Sequence, residues 1–182
     1  RTEFREQDLF ATDLARATVV TMYLLPEVNL QLRPRLLALA PGTRVVSHDW
    51  DMGDWQPDRT VTLDVPDKAI GREKKSRVHL WVVPAQVHGT WCAGDLRLDV
   101  VQRFQRFSAA LHRRGVSAPL AVVDGRVDGV QLRTEGGATT QAQLRLEGAM
   151  LRLVQVSGQA AGVIGLADQG ARAFSRAAPA GC

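Results

Sequence analysis

Apolar positions fall along this chain in two textures that meet near residue 87. Before it, residues 17–25 (ATVVTMYLL) and 43–50 (TRVVSHDW) are nearly continuous apolar runs. Runs without polar alternation suit strands buried on both faces, as in the middle of a parallel sheet. Between them, residues 33–40 (RPRLLALA) predict a helix. Pro34 fits its first turn, where the missing N–H has no partner to lose, and Leu36, Leu37 and Leu39 supply a buried face. Pro41 and Gly42 then stop it. The order predicts a β-α-β unit with a right-handed crossover. Residues 60–65 (TVTLDV) and 78–83 (VHLWVV), joined by a charged loop, predict an antiparallel hairpin at the sheet edge.

Beyond residue 87 the runs shorten. Leu96, Leu98 and Val100 alternate with polar residues, as do Ala142, Leu144 and Leu146, which is the pattern of a half-buried strand. Asp124-Gly125, Asp128-Gly129, Glu135-Gly136-Gly137, Glu147-Gly148 and Ser157-Gly158 are closely spaced turn signals. Residues 87–167 therefore predict a small antiparallel β domain. Within it, Val101, Phe104, Phe107 and Leu111 also fit one face of a helix, so periodicity alone leaves residues 102–113 open. Residues 168–182 are rich in Ala, Gly and Arg and predict a frayed, flexible tail.

Composition changes this picture little. The chain is 45% hydrophobic and 23% charged, an ordinary globular balance. No apolar run approaches the roughly 18 residues that span a bilayer, and residues 1–10 are too polar for a secretory signal. The net charge of +4 reflects arginines scattered along the chain. The one local basic cluster, residues 72–77 (REKKSR), reads as a solvated hairpin tip. Without a basic stripe interleaved with aromatics, nucleic acid is not an expected partner. Cys92 and Cys182 read as free thiols, which fits a reducing, cytoplasmic setting.

Most familiar chemical signatures are absent from the sequence. His48, His79, His88 and His112 lack partners at helical metal-binding spacing, there is no Cys-x-x-Cys, and no metal is expected. Neither a G-x-S-x-G elbow, a Walker A loop nor G-x-G-x-x-G occurs. Three short motifs remain: QDLF at residues 7–10, YLLP at 23–26 and SHDWDMGDW at 47–55. In this order and spacing they resemble a bacterial branch of class I S-adenosylmethionine-dependent methyltransferases, related in pattern to the DOT1-like and FAM173-like lysine methyltransferases. The resemblance runs to about residue 85 and extends loosely into the glycine-punctuated half, where it favours strand for residues 102–111.

What the resemblance implies is an α/β architecture: the C-terminal strands of a Rossmann-like class I methyltransferase sheet over residues 1–86, followed by the small antiparallel β domain over 87–167. In such a fold S-adenosylmethionine lies across the carboxyl ends of the parallel strands. The first strand, its glycine loop and the ribose-binding acid match nothing in this sequence and are expected to precede Arg1, so the chain would keep the adenine side of the pocket. Asp8 would accept from the adenine amino group, Leu9 would offer its amide, and Phe10 an apolar wall. Tyr23 and Leu24 would complete the cofactor site. Tyr23 and His48 are the catalytic candidates, a hydroxyl and an imidazole able to orient or deprotonate an amine. Pro26, Asn29, Asp49 and Trp50 would border the methyl acceptor, a protein lysine or a small molecule. Arg33 and Arg35 read as solvated helix positions, Trp81 as sheet packing, and Asp51, Asp54 and Trp55 as a substrate entrance or a rigid turn. The competing expectation is a non-catalytic fragment whose β domain binds a partner.

Overall fold

The computed structural model describes residues 2–69, 73–135, 139–158, 161–162, 172–178 and 182. The two apolar runs become the parallel strands β1 (Val19–Met22) and β2 (Arg44–His48), in register from Val19 opposite Arg44 to Met22 opposite Ser47. Helix α1 (Pro26–Leu37) connects them. Strand β4 (Lys75–Val82) lies antiparallel to β2, and β3 (Arg59–Asp64) antiparallel to β4, giving the order β1-β2-β4-β3. These elements belong to a first compact unit, Arg1–Val83.

Two local expectations need correction. The helix starts at Pro26, not near Pro34. Pro26 takes the first helical position and Pro34 lies inside the helix. An internal proline forfeits the bond to the carbonyl four residues earlier. Here that carbonyl belongs to Leu30, a solvent-facing residue, while the buried stripe is Asn29, Leu32 and Leu36. Strand β1 is also not buried on both faces: Val19 is 41% exposed, because β1 stands at a sheet edge. Of the basic cluster at 72–77, Arg72 lies outside the described residues.

The second unit, Pro84–Cys182, is a closed antiparallel barrel. Its strands are β5 (Gly89–Ala93), β6 (Leu96–Arg103), β7 (Arg106–Arg113), β8 (Ala121–Asp128), β9 (Gln131–Thr134), β10 (Thr140–Glu147), β11 (Met150–Gly158) and β12 (Ala173–Arg176). Sequence neighbours pair, and β12 pairs with both β11 and β5 to close the ring. Closure leaves no unpaired edge in the barrel. Residues 102–113 are strand, with a hairpin turn at Phe104 and Gln105. Leu98, Val100, Phe107, Leu111, Leu144, Leu153 and Phe174 fill the interior, leaving an apolar void of about 50 Å³. The chain as a whole is thus mostly β, with one helix longer than a turn among the described residues, and none long and apolar enough to cross a membrane.

Three features of this unit were misread from sequence. Gly125 is not in a turn but inside β8: a Cβ there would stand 2.2 Å from the Arg133 carbonyl oxygen and 2.6 Å from Phe107 Cζ. Residues 173–176 are not a frayed tail but the strand that closes the barrel. Cys92 and Cys182 are not free thiols: they form a disulfide between β5 and the chain terminus.

Candidate functional site

At the carboxyl ends of β1 and β2 the chain leaves two adjacent parallel strands, so the residues just beyond them meet although they are far apart in sequence. Tyr23, which follows β1, sets its ring edge against the His48 imidazole that ends β2, with centroids 4.7 Å apart and planes at 65°. Tyr23 is 68% exposed and His48 half-buried, so both present surface to solvent. Leu24 is half-buried, and Pro26 begins α1.

Past His48 the backbone turns sharply. Asp49 has φ of 62°, a left-handed conformation that Asp tolerates better than most residues. Its N–H donates to the Arg77 carbonyl (2.7 Å), and the Arg77 N–H donates to Asp49 Oδ1 (2.8 Å). Asp49 Oδ2 accepts from Lys68 Nζ (2.5 Å), and His48 Nε2 stands 3.8 Å from Oδ1. Both carboxylate oxygens are therefore occupied in shaping the loop. Burial favours the neutral acid, but the Lys68 bond, the Arg77 N–H and the nearby His48 together outweigh it and hold the Asp49 carboxyl below its ordinary value of 3.8. A depressed carboxylate contributes stability that is present above the unfolded-state value and disappears as pH falls through the folded one. Asp49→Asn is accordingly expected to be less stable than the parent chain at pH 7, with the gap closing below about pH 4. Denaturant unfolding at both pH values measures it, and a gap that stays constant would refute the assignment.

Asn29, expected to border the acceptor, is fully buried on α1, and its Nδ2 donates to Ser47 Oγ (3.1 Å) and to the carbonyls of Trp50 (3.3 Å) and Asp51 (3.2 Å). It pins the loop after β2 from below and leaves Trp50 43% exposed above. Arg33 is not solvated either. It donates to the Met52 carbonyl (2.8 Å) and pairs with Asp54. Trp55 is wholly buried, and its carbonyl accepts from Trp81 Nε1 (2.8 Å), so residues 51–55 form a rigid turn.

The QDLF motif also folds on itself. Asp8 Oδ1 accepts from the Phe10 N–H (2.8 Å), its carbonyl accepts from the Ala11 N–H (3.2 Å) and Thr12 Oγ1 (2.8 Å), and Gln7 Nε2 donates to Thr12 Oγ1 (2.8 Å). Leu9 is half-buried and Phe10 43% exposed. Arg35, also read as solvated, reaches this turn from α1. It donates to the carbonyls of Leu9 (3.1 Å), Phe10 and Thr12. Sequence reasoning missed Arg33, Arg35 and Lys68, because no local spacing distinguishes an arginine facing a distant carbonyl from one facing water. Among the described residues no group of three His, Cys, Asp or Glu side chains could hold a metal.

The family model of the ANTKMT methyltransferase domain matches residues 1–59. A protein-lysine N-methyltransferase of Saccharolobus islandicus (strain REY15A) is 45% identical over 58 residues, 31% of this chain and 36% of that protein. The crystal structure of an RNA methyltransferase from Salinibacter ruber in complex with S-adenosyl-L-homocysteine is 50% identical, covers 46% of this chain and 49% of that one, and superposes with a TM-score of 0.39. The chain spans about a third of the length of the curated relative it matches.

Proposed function

We propose, for a chain whose first 59 residues carry the methyltransferase family pattern, that unit 1 is the adenine and methyl-acceptor side of an S-adenosylmethionine-dependent methyltransferase site, within the C-terminal strands of a Rossmann-like sheet. The observation that carries this reading is the 45% identity over 58 residues to a protein-lysine N-methyltransferase, beside a family-model match over residues 1–59 that includes all the candidate residues. The acceptor we favour is accordingly a protein lysine amine.

The residues fit the cofactor's chemistry. Adenine presents an amino donor beside a ring-nitrogen acceptor; the Asp8 carboxylate and the Leu9 amide are an acceptor and a donor on adjacent residues. Asp8 Oδ1 is engaged by Phe10, which leaves Oδ2 for the ligand. When bound, S-adenosylmethionine supplies an electrophilic methyl group on a sulfonium. The protein's part in such a transfer is alignment of the nucleophile rather than covalent chemistry. Tyr23 and His48 are in contact with each other and open to solvent, which supports a role for the pair in aligning an amine and taking up its proton. Pro26 and Trp50 border that spot, whereas Asp49 and Asn29 act on it through the loop they hold.

The barrel plays no part in this reading and is the larger unit, so a partner-binding role for it stands as the alternative. Its disulfide sits poorly with a reducing cytoplasm and favours an oxidising compartment.

Titrating S-adenosylhomocysteine into the labelled chain by NMR tests the reading. With adenine-side contacts alone, binding is expected in the millimolar range, with shifts centred on Leu9, Phe10, Tyr23 and His48. Asp8→Ala removes a charge-assisted hydrogen bond of about 1.5–3 kcal/mol and weakens binding at least tenfold. Shifts confined to the barrel, or an unchanged affinity in Asp8→Ala, would sink it.

A further inference from the structure

Residues 8–12 are held from two directions, and the second has nothing to do with the turn itself. From within, Asp8 and Thr12 close the turn through side-chain bonds to its backbone. From α1, the single guanidinium of Arg35 gathers three carbonyls, those of Leu9, Phe10 and Thr12. A guanidinium has five donors fixed in one plane, so binding several carbonyls at once fixes their mutual orientation and not merely their distance. Arg35 is half-buried, so it is not an arginine spending its donors on bulk water.

That orientation has a consequence on the opposite side of each peptide. In a trans peptide the C=O and the following N–H point in opposite directions. The Asp8 carbonyl is turned inward onto Ala11 and Thr12, which turns the Leu9 N–H outward. The Leu9 and Phe10 carbonyls are turned onto α1 by Arg35, which keeps the peptide planes on either side of them from rotating back. The Asp8 carboxylate is exposed, and the Leu9 N–H points opposite to the inward-turned Asp8 carbonyl, so that N–H is not directed into the turn.

We propose that Arg35 is a positioning residue for cofactor recognition: it locks the Asp8–Thr12 turn against α1 so that the adenine-reading groups, Asp8 and the Leu9 amide, are presented preorganised to the ligand. This rests on the reading of that turn as the adenine site. Helix α1 thus holds both ligand-side loops, through Arg35 on one and through Asn29 and Arg33 on the other. Preorganisation of this kind strengthens binding by removing the ordering cost from the binding step.

The test uses amide hydrogen exchange by NMR on the whole chain, comparing the parent, Arg35→Ala and Arg35→Lys, with S-adenosylhomocysteine titrated into each. In Arg35→Ala the amides of Phe10, Ala11 and Thr12 are expected to exchange at least tenfold faster, while those of Val45 and Val46 in β2 keep their parent rates. Arg35→Lys, which restores the charge and a single donor group, should recover part of the protection. Ligand shifts at Leu9 and Phe10 should need about tenfold more ligand in Arg35→Ala. Unchanged exchange at residues 10–12 would overturn the proposal. So would faster exchange across β2, which would make Arg35 a general stability residue. If the turn loosens but the parent's Leu9 and Phe10 do not respond to the ligand, it is the adenine reading that falls, and the cofactor role of Arg35 with it.

Discussion

Replacing Cys92 or Cys182 with serine is expected to destabilise the barrel by about 4 kcal/mol. The disulfide links residues 90 apart in sequence, and cross-linking so long a loop removes a large share of the unfolded chain's freedom. The loss should appear where the barrel is closed. Strand β12 is four residues long, its register with β5 holds two pairs, and one of them sets Ser175 opposite Cys92 itself. Without the cross-link, β12 is held by the short ladders to β11 and β5, the packing of Phe174 and the bonds of Arg176 to the His88 and Gln86 carbonyls. For a unit of about this size each kcal/mol shifts the midpoint by roughly 4–8 °C, so the barrel transition should fall by about 20 °C. Thermal melts of the parent with and without reductant, beside Cys92→Ser, measure this. Reductant should lower the parent's transition to that of the variant and leave the variant unmoved. Coincident melts of all three would show that the barrel closes without its cross-link.

Trp81→Ala should cost unit 1 about 3–5 kcal/mol and disorder the loop after β2 together with it. Trp81 is wholly buried on β4, 6.0 Å from the Trp55 ring and 5.7 Å from that of His79. Its indole N–H also satisfies the buried Trp55 carbonyl, so truncation opens a large cavity and orphans an acceptor. Trp55 is the last residue of the SHDWDMGDW segment, and losing its seat frees the turn that Asn29 and Arg33 hold from the other end. Trp81→Phe keeps most of the volume and loses the hydrogen bond, for an expected cost of about 1–2 kcal/mol. Denaturant unfolding of both variants gives the ratio. Equal losses for Ala and Phe would mean that the hydrogen bond, not the ring volume, carries the contribution. In the Ala variant the Tyr23 and His48 resonances should broaden as the end of β2 loosens.

Legibility of the fold followed the range of the interactions involved. Residues 19–22, 44–48, 59–64 and 75–82 are strands where runs of apolar and β-branched residues announced them, and the barrel strands keep the inward and outward alternation seen at Leu96, Leu98 and Val100. Periodicity is written by each residue's immediate neighbours, so one sequence suffices to read it. The Gly129 and Gly148 turns belong to the same class, each with positive φ between paired strands. The candidate site was legible as three motifs, but the work of its residues was not. Asp8, Asn29 and Asp49 each bond the backbone of a turn or loop, and spacing alone did not reveal that these side chains carry such contacts.

The amino-acid sequence by itself determined the strand and turn pattern, the β-α-β order and the glycine-turned second half, because these rest on contacts within a few residues. Tertiary structure alone decided the rest. Pro26 rather than Pro34 opens the helix because solvent can take the carbonyl that Pro34 strands. Gly125 is needed because Phe107 and the Arg133 carbonyl crowd it from neighbouring strands. Arg35 leaves solvent because a turn at residues 9–12 offers it three carbonyls, and two cysteines 90 residues apart bond because the terminal cysteine, beyond the strand that closes the barrel, meets β5. Each of these pairings is selected by the free energy of the whole packed unit, and no local stretch of sequence contains that sum.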